Sequence, residues 1–342
     1  MEPKAYFKKV GNIKLIKEIG KGSYGKVYEA EGPTNQKYAV KAIKIADINQ
    51  RMALYLEKEI DAVKKLNHPH IMQLKELYKT AHFYYLVFEY CNRGDLDGYR
   101  KAKGGSLDEL TTRYFFKQII DALCEIHKNG FVHRDIKLPN IMLIDSIKKE
   151  DLPIAKIGDF GFARNLFSED KELTMTLFSI SSSFVGTPLH MSPEILSKKP
   201  YNYLSDIWSM GTILFQLITG TYPFFGITRE QLREQVEIGT YKIKKTVYPS
   251  PYLIDFLTKC LQYNQSDRIR TCHLLKHPFL TCSDEDIIES KYKGQWYSLV
   301  KQNEEYYLLN THDKSDYLPS EVLKAFSTNI CASPKIANIV YT

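Results

Sequence analysis

Apolar and polar positions alternate through the N-terminal part of the chain with the period of a sheet. Ile13 and Leu15, with Ile16 and Ile19 after them, predict a first strand, and Lys26-Val27-Tyr28-Glu29-Ala30 alternates like a second, closed by a turn at Pro33 and Asn35. Lys37-Tyr38-Ala39-Val40-Lys41-Ala42-Ile43 predicts a third strand in which apolar side chains crowd around Lys41. The period then changes. Over 52–66, Ala53, Leu56, Ile60 and Val63 recur at helical spacing; Glu59 falls on the inner stripe, while Glu57, Lys58, Asp61 and Lys64 fall outside it. Pro69 in Asn67-His68-Pro69 stops that helix, and the run from Phe83 to Cys91 is apolar enough for a buried strand. It gives way to Asn92-Arg93-Gly94-Asp95, a polar, glycine-bearing link with the composition of a hinge.

Beyond the hinge the pattern is helical. Tyr114, Phe115, Ile119, Leu123 and Ile126 form one stripe that delivers the chain to His133-Arg134-Asp135-Ile136-Lys137-Leu138-Pro139-Asn140, and Asp159-Phe160-Gly161 follows later. Phe131, Val132, Ile141, Met142, Leu143, Ile154 and Ile157 predict short buried strands around these motifs. Two carboxylates, a carboxamide and a lysine thus stand among apolar neighbours, where ionised groups are costly unless they meet cations, metals or donors. Any one of them alone reads as a cap or a turn former; the constellation points to chemistry. Further on, Asp206 leads a helix through Ile213, Leu214, Phe215, Leu217 and Ile218, apolar nearly all round and therefore buried. Asp206 reads equally as its N-terminal cap.

Composition narrows the class without naming a function. The 342 residues are 44% hydrophobic and 25% charged, which is ordinary for a globular protein of two or three domains or lobes. The formal charge of +7 comes from 47 basic and 40 acidic residues that are interspersed, which suits anionic ligands such as nucleotides but gives no footprint for nucleic acid. The six cysteines lack C-x-x-C spacing, so neither a zinc site nor a disulfide framework is expected. No apolar stretch approaches the length that spans a bilayer, and Met1-Glu2-Pro3-Lys4 opens no leader; the expected compartment is the cytoplasm, with access to the nucleus.

The glycines of Gly20-Lys21-Gly22-Ser23-Tyr24-Gly25 suit a backbone that turns sharply and lays its N–H groups on phosphate oxygens. A dinucleotide fold would open a helix there; here strand leads to strand, so the loop reads as a flap over a nucleotide. Lys41 alone would be the polar face of an edge strand, but the inward-facing Glu59 supplies a partner for it. Together with Ser192-Pro193-Glu194, the sets Gly20/Gly22/Gly25, Ala39-Val40-Lys41, Glu59, His133-Arg134-Asp135…Lys137…Asn140 and Asp159-Phe160-Gly161 resemble the eukaryotic serine/threonine protein kinases over residues 13–280. Arg93-Gly94-Asp95-Leu96 and the residues after Gly161, Phe162-Ala163-Arg164, are similar to the autophagy-initiating subgroup, with the calmodulin-dependent group as runner-up.

That resemblance implies an α+β, bilobal protein kinase fold: a small β-rich N-lobe with one regulatory helix over 13–90, a larger, mainly helical C-lobe over 91–280, and extensions at 1–12 and 281–342. It implies that ATP and Mg²⁺ are used. Lys41, aligned by Glu59, would hold the α- and β-phosphates; Asn140 and Asp159 would hold the metal; Asp135 would accept or orient the substrate hydroxyl, and Lys137 would neutralise the γ-phosphate. Backbone groups of Glu89 and Cys91 would meet adenine, beneath Val27 and Ala39 and above Met142, with Phe88 behind. Asp95 would bind ribose or read a basic substrate residue, and Pro139 stands where arginine-reading relatives carry a glutamate, so no strong arginine requirement is expected. Lys137 and Gly186-Thr187-Pro188 point to Ser/Thr hydroxyls of protein substrates. The hydroxyl-rich stretch between Asp159 and Glu194, Thr187 included, would be an activation segment, with Ser183 its principal site, Thr187 a further regulatory residue and Arg134 the receiver of the phosphate. Arg268 would pair with Glu194, Asp206 would brace the catalytic loop, and the aromatic residues of 281–342 would dock on the domain or on a regulatory partner. The competing reading is a pseudokinase or scaffold that binds nucleotide without efficient transfer.

Overall fold

A computed structural model describes residues 9–22, 25–47, 60, 64, 66–147, 152–159, 164–165, 189–243, 249–293, 297–302, 305–310 and 339–341. The chain divides into two compact units, one of residues 1–99 and 121–183, the other of residues 100–120 and 184–342.

The first unit is built on an antiparallel sheet of six strands, β1 Lys9–Val10, β2 Ile13–Gly22, β3 Gly25–Glu31, β4 Lys37–Lys44, β5 Leu74–Lys79 and β6 Phe83–Glu89, in the order β1-β2-β3-β4-β6-β5. Period-2 alternation sorts its side chains onto two covered faces. Val40, Ala42, Tyr85 and Val87 join Val10, Ile13, Leu15 and Ala30 on one side; Ile43, Tyr84, Leu86 and Phe88 join Ile60 and Leu74 on the other. Burial on both faces is why β6 reads as a continuous apolar run, each large side chain contributing about 1.5–3 kcal/mol. The same alternation places Lys41, opposite Val27 in β3 and Leu86 in β6, on the face of Ile43 rather than that of Val40. Four short strands complete the unit: β7 Phe131–Val132, β8 Ile141–Ile144, β9 Ile154–Ile157 and β10 Arg164–Asn165, pairing β8 with β9 and β7 with β10. Helix Leu96–Ala102 follows the hinge and helix Glu109–Lys128 carries the predicted stripe, each with residues in both units; Phe115, Ile119, Leu123 and Ile126 are buried and Tyr114 is half-buried.

The second unit is mainly helical. Every residue from Leu204 to Ile218 of helix Leu204–Thr219 is buried, as its apolar circumference predicts, and Gly220 closes it in the left-handed conformation at φ 79°. Its N-cap is Tyr203, so Asp206 lies inside the first turn; the expectation that Asp206 caps this helix is corrected. Arg268 and Glu194 pair as expected, with both guanidinium nitrogens 2.7 Å from the carboxylate oxygens. Strand β11 Tyr241–Ile243 rests Tyr241 edge-on against Phe215 and Phe224, and Phe224 stacks on Trp208. After helix Asp284–Lys293 come a hairpin of β12 Tyr297–Gln302 and β13 Glu305–Asn310, and β14 Ile339–Tyr341, which runs parallel to β11. Among the described residues no helix is long and apolar enough to cross a membrane.

Candidate functional site

The first unit contains a cleft of about 390 Å³, within the range of small-molecule sites. Its walls are supplied by the sheet, the hinge and the loop before β8. Gly20, Val27, Ala39 and Lys41 line it from β2–β4; Phe88, Glu89, Cys91 and Asp95 from the strand end and hinge; Asn140, Met142 and Asp159 from below. Those residues were all expected there. Of the remaining expected site residues, Gly22 and Gly25 face each other at the ends of β2 and β3. Glu59, Ser183 and Thr187, with Phe160 and Gly161, lie outside the described residues.

The cation at the back of the cleft meets a carboxylate. Lys41 Nζ lies 2.5 Å from Asp159 Oδ1, and the lysine side chain is 9% exposed. Burial alone would raise the Asp159 carboxyl, but the Lys41 charge and hydrogen bond outweigh it and hold the group below the usual carboxylate range. Asp159 follows Gly158, whose N–H donates to Asn140 O at 2.9 Å and whose carbonyl meets His133 Nε2 at 2.9 Å. Since Asp135 N–H donates to His133 Nδ1 at 3.3 Å, the imidazole that satisfies both contacts carries its proton on Nε2. One ring thereby ties the Asp135 segment to the Asp159 segment.

Asp135 is held by its own loop. Asn140 Nδ2 donates to Asp135 O at 2.8 Å and to Asp135 Oδ2 at 2.9 Å, and Lys137 Nζ lies 2.8 Å from the same oxygen. Pro139 in the single 3-10 turn Leu138–Asn140 fixes that spacing, and Asn140 N–H closes the turn on Lys137 O. Because a carboxylate and a carbonyl only accept, the Asn140 amide nitrogen must face Asp135, which leaves its carbonyl oxygen as a donor atom for a cation. With the Asp159 carboxylate this makes two hard oxygen ligands, a set that fits Mg²⁺ completed by phosphate oxygens and water.

The hinge is clamped from behind. Arg93 N–H donates to Leu143 O and Leu143 N–H to Gly94 O, while Asn92 and Asp145 exchange two hydrogen bonds at 2.7 and 3.0 Å. Burial pushes the Cys91 thiol up to about 12, so it is a neutral, unreactive wall group. Asp95 has a function the sequence reading did not assign: its carboxylate accepts from Gly98 N–H at 2.8 Å and caps helix Leu96–Ala102. Met72, Tyr90, Ile19 and Lys21 also line the cleft without having been singled out. Lys156, which does not line the cleft but pairs with Glu89 at 3.1 Å, was not singled out either, although a lysine inside the apolar run Ile154–Ile157 is the same signal that drew attention to Lys41.

Comparison with known proteins agrees with this geometry. The protein kinase domain matches residues 13–280. The chain is 31% identical over 321 residues to the serine/threonine-protein kinase atg1 of Botryotinia fuckeliana, covering 80% of this chain and 33% of that protein. It is 34% identical over 279 residues to the Arabidopsis thaliana kinase ATG1c, covering 80% and 36%, and 38% identical over 230 residues to the rat NUAK family SNF1-like kinase 2, covering 67% and 34%. It spans about a third of the length of the curated relatives it matches. With its α+β elements, its cleft and a match over most of its length, the chain belongs to the protein kinase family.

Proposed function

We propose that this protein is an ATP-dependent serine/threonine kinase acting on protein substrates. The observation that carries the reading is that Lys41, Asn140 and Asp159 line one cleft, with Lys41 paired to Asp159, Asn140 bonded to Asp135 and Asp135 paired to Lys137. Phosphoryl transfer asks a protein mainly to position and neutralise, and these groups do both. Adenine lies between Val27 and Ala39 above and Met142 below, bonded to backbone groups of Glu89 and Cys91, with the ribose beside Asp95. Lys41 holds the α- and β-phosphates, aligned by Glu59, while Gly20, Gly22 and Gly25 cover them. Magnesium, when bound through Asn140 and Asp159, neutralises charge on the phosphates. Asp135 takes the proton of the Ser or Thr hydroxyl as its oxygen bonds to the γ-phosphorus; the bond to the bridging oxygen breaks and ADP leaves, while Lys137 balances charge on the transferred group. Phosphorylation of Ser183, with Thr187 a further regulatory residue, tunes the activity, Arg134 receiving the phosphate. Residues 281–342 offer a surface to a regulatory partner.

The test is transfer of labelled phosphate from ATP to a degenerate Ser/Thr peptide library, with Asp135→Asn as control. The expected loss in the variant is about 10²–10⁴-fold, the usual size of a general-base contribution. Equal incorporation by both proteins would overturn the catalytic assignment and favour the scaffold reading.

A further inference from the structure

Behind the hinge lies an ion pair that no part of the proposed chemistry uses. Lys156 Nζ is 3.1 Å from Glu89 Oε1, with the two side chains 13% and 20% exposed. The same carboxylate oxygen accepts Gln73 N–H at 2.8 Å, and Glu89 N–H donates back to Gln73 O at 3.2 Å. One oxygen thus joins three segments: the last residue of β6, the residue before β5, and the middle of β9.

The position of Lys156 gives this junction consequences at both ends of the cleft. Its register partner across β8–β9 is Met142, the cleft floor, so its stem and the floor side chain belong to the same rung. One residue on, Ile157 is bonded on both sides of its peptide to the 70–72 segment, through Ile157 N–H to His70 O and Met72 N–H to Ile157 O, each at 2.8 Å. Two residues further stands Asp159. On the other side, Glu89 ends the strand whose next residues, Tyr90 and Cys91, line the cleft. A largely buried cation, paired among the described residues with this carboxylate, would be expensive to strand, so the pair resists separation of hinge and floor.

We infer that Lys156 is a positioning residue for nucleotide, fixing through Glu89 the height of the hinge above Met142 and tying it to the strand that leads to Asp159. The inference rests on the ATP-binding reading proposed above and deepens it. A merely structural ion pair would alter stability alone; a positioning pair alters nucleotide affinity more than turnover.

The experiment uses the full chain and measures the dissociation constant of ADP, together with KM for ATP and kcat, in Lys156→Met, Glu89→Gln, the double variant and Lys156→Arg. Glu89→Gln keeps an acceptor for Gln73 N–H and removes only the charge, so it reports even where Lys156→Met fails to fold. Each single variant is expected to weaken ADP and raise KM for ATP by roughly five- to tenfold, the size of a coupling of 1–1.5 kcal/mol, with a much smaller change in kcat. The double variant should be no worse than either single one, and Lys156→Arg should recover most of the affinity. Unchanged ADP affinity in Glu89→Gln, or additive losses in the double variant, would overturn the inference. If the wild-type chain bound no adenine nucleotide, the ATP reading itself would fail, an outcome distinct from wild-type binding that the variants leave unmoved.

Discussion

Arg134 and Asp159 hold left-handed backbone, at φ 68° and 56°, without being glycine. Aspartate visits that region more readily than most residues; arginine does not, and such strain costs on the order of 1–3 kcal/mol. It persists because the surroundings leave no alternative: His133 accepts Asp135 N–H and meets Gly158 O, and Asn140 fixes both the carbonyl and the carboxylate of Asp135. The glycines above the cleft obey a different necessity, and not all the same one. A methyl group on Gly25 would lie 1.8 Å from the Ala42 carbonyl oxygen, whereas on Gly20 it would meet only Val27 Cβ at 3.9 Å. Gly25→Ala must therefore push β3 off β4, at a cost of about 1–3 kcal/mol, while Gly20→Ala should stay within about 0.5 kcal/mol. Urea denaturation of the two variants checks the contrast; equal losses would show that the close approach at Gly25 is not what requires a glycine.

At the scale of elements, the pair Glu194 and Arg268 shows what holds helix Pro193–Leu196 in place. All five N–H donors of Arg268 are used: two on the Glu194 carboxylate, and one each on the carbonyls of Leu204, Gln262 and Tyr263, while the guanidinium also lies 5.1 Å from the Trp208 ring. Burial alone would raise the Glu194 carboxyl; the Arg268 hydrogen bonds and charge, with a Ser205 hydroxyl, hold it low instead. Stability from this pair is thus complete above the ordinary glutamate value of 4.5 and drains away as pH falls through the lower folded value. Arg268→Ala inverts the sign. It strands a buried carboxylate, so the loss should be about 3–5 kcal/mol at neutral pH and smaller at pH about 5, where the carboxyl can take up a proton. Chemical denaturation of both proteins at the two pH values decides it; a deficit independent of pH would mean the carboxylate is not the stranded group.

These elements also show which signals a sequence carries. Period and burial were legible: β4, β6 and the stripe of helix Glu109–Lys128 follow from spacing alone. So was the meeting of Lys41, Asn140 and Asp159 in one cleft, with Asp135 bonded to Asn140, because polar and charged groups among apolar neighbours are rare enough to stand out. Caps were not, since a cap depends on where the first helical turn begins: Asp206, read as a cap or as a brace of the catalytic loop, lies inside the turn, while Asp95 was read as a ribose ligand or substrate reader and caps a helix. Nor was the direction of the Glu89 side chain, because a strand end gives no periodic cue and Gln73 and Lys156 are distant in sequence.

At the scale of the whole molecule, the kinase match ends at residue 280, but the packing does not. Arg113, 3% exposed, donates through Nε to Phe279 O at 2.7 Å and through Nη2 to Leu280 O at 3.4 Å; its other contacts, from Nη2 to Cys282 O and from Nη1 to Asp284, lie past that boundary. Ile287, 1% exposed, is buried in the same unit. A chain ending at Leu280 therefore keeps a buried guanidinium while removing half of its acceptors and one apolar side chain. Charge-assisted bonds of this kind are worth about 1.5–3 kcal/mol each and a buried isoleucine about as much, so the truncated chain should lose roughly 4.5–9 kcal/mol, a large share of a typical domain's stability. Ending the chain at Lys293 restores all three and should recover nearly all of that loss, and Asp284→Ala in the full chain should reproduce the part that belongs to Nη1, about 1.5–3 kcal/mol. Thermal and urea unfolding of the three proteins beside the full chain measures each share. Should the chain ending at Leu280 prove as stable as the one ending at Lys293, Arg113 would have found other acceptors, and the segment 281–293 would have no part in holding the domain together.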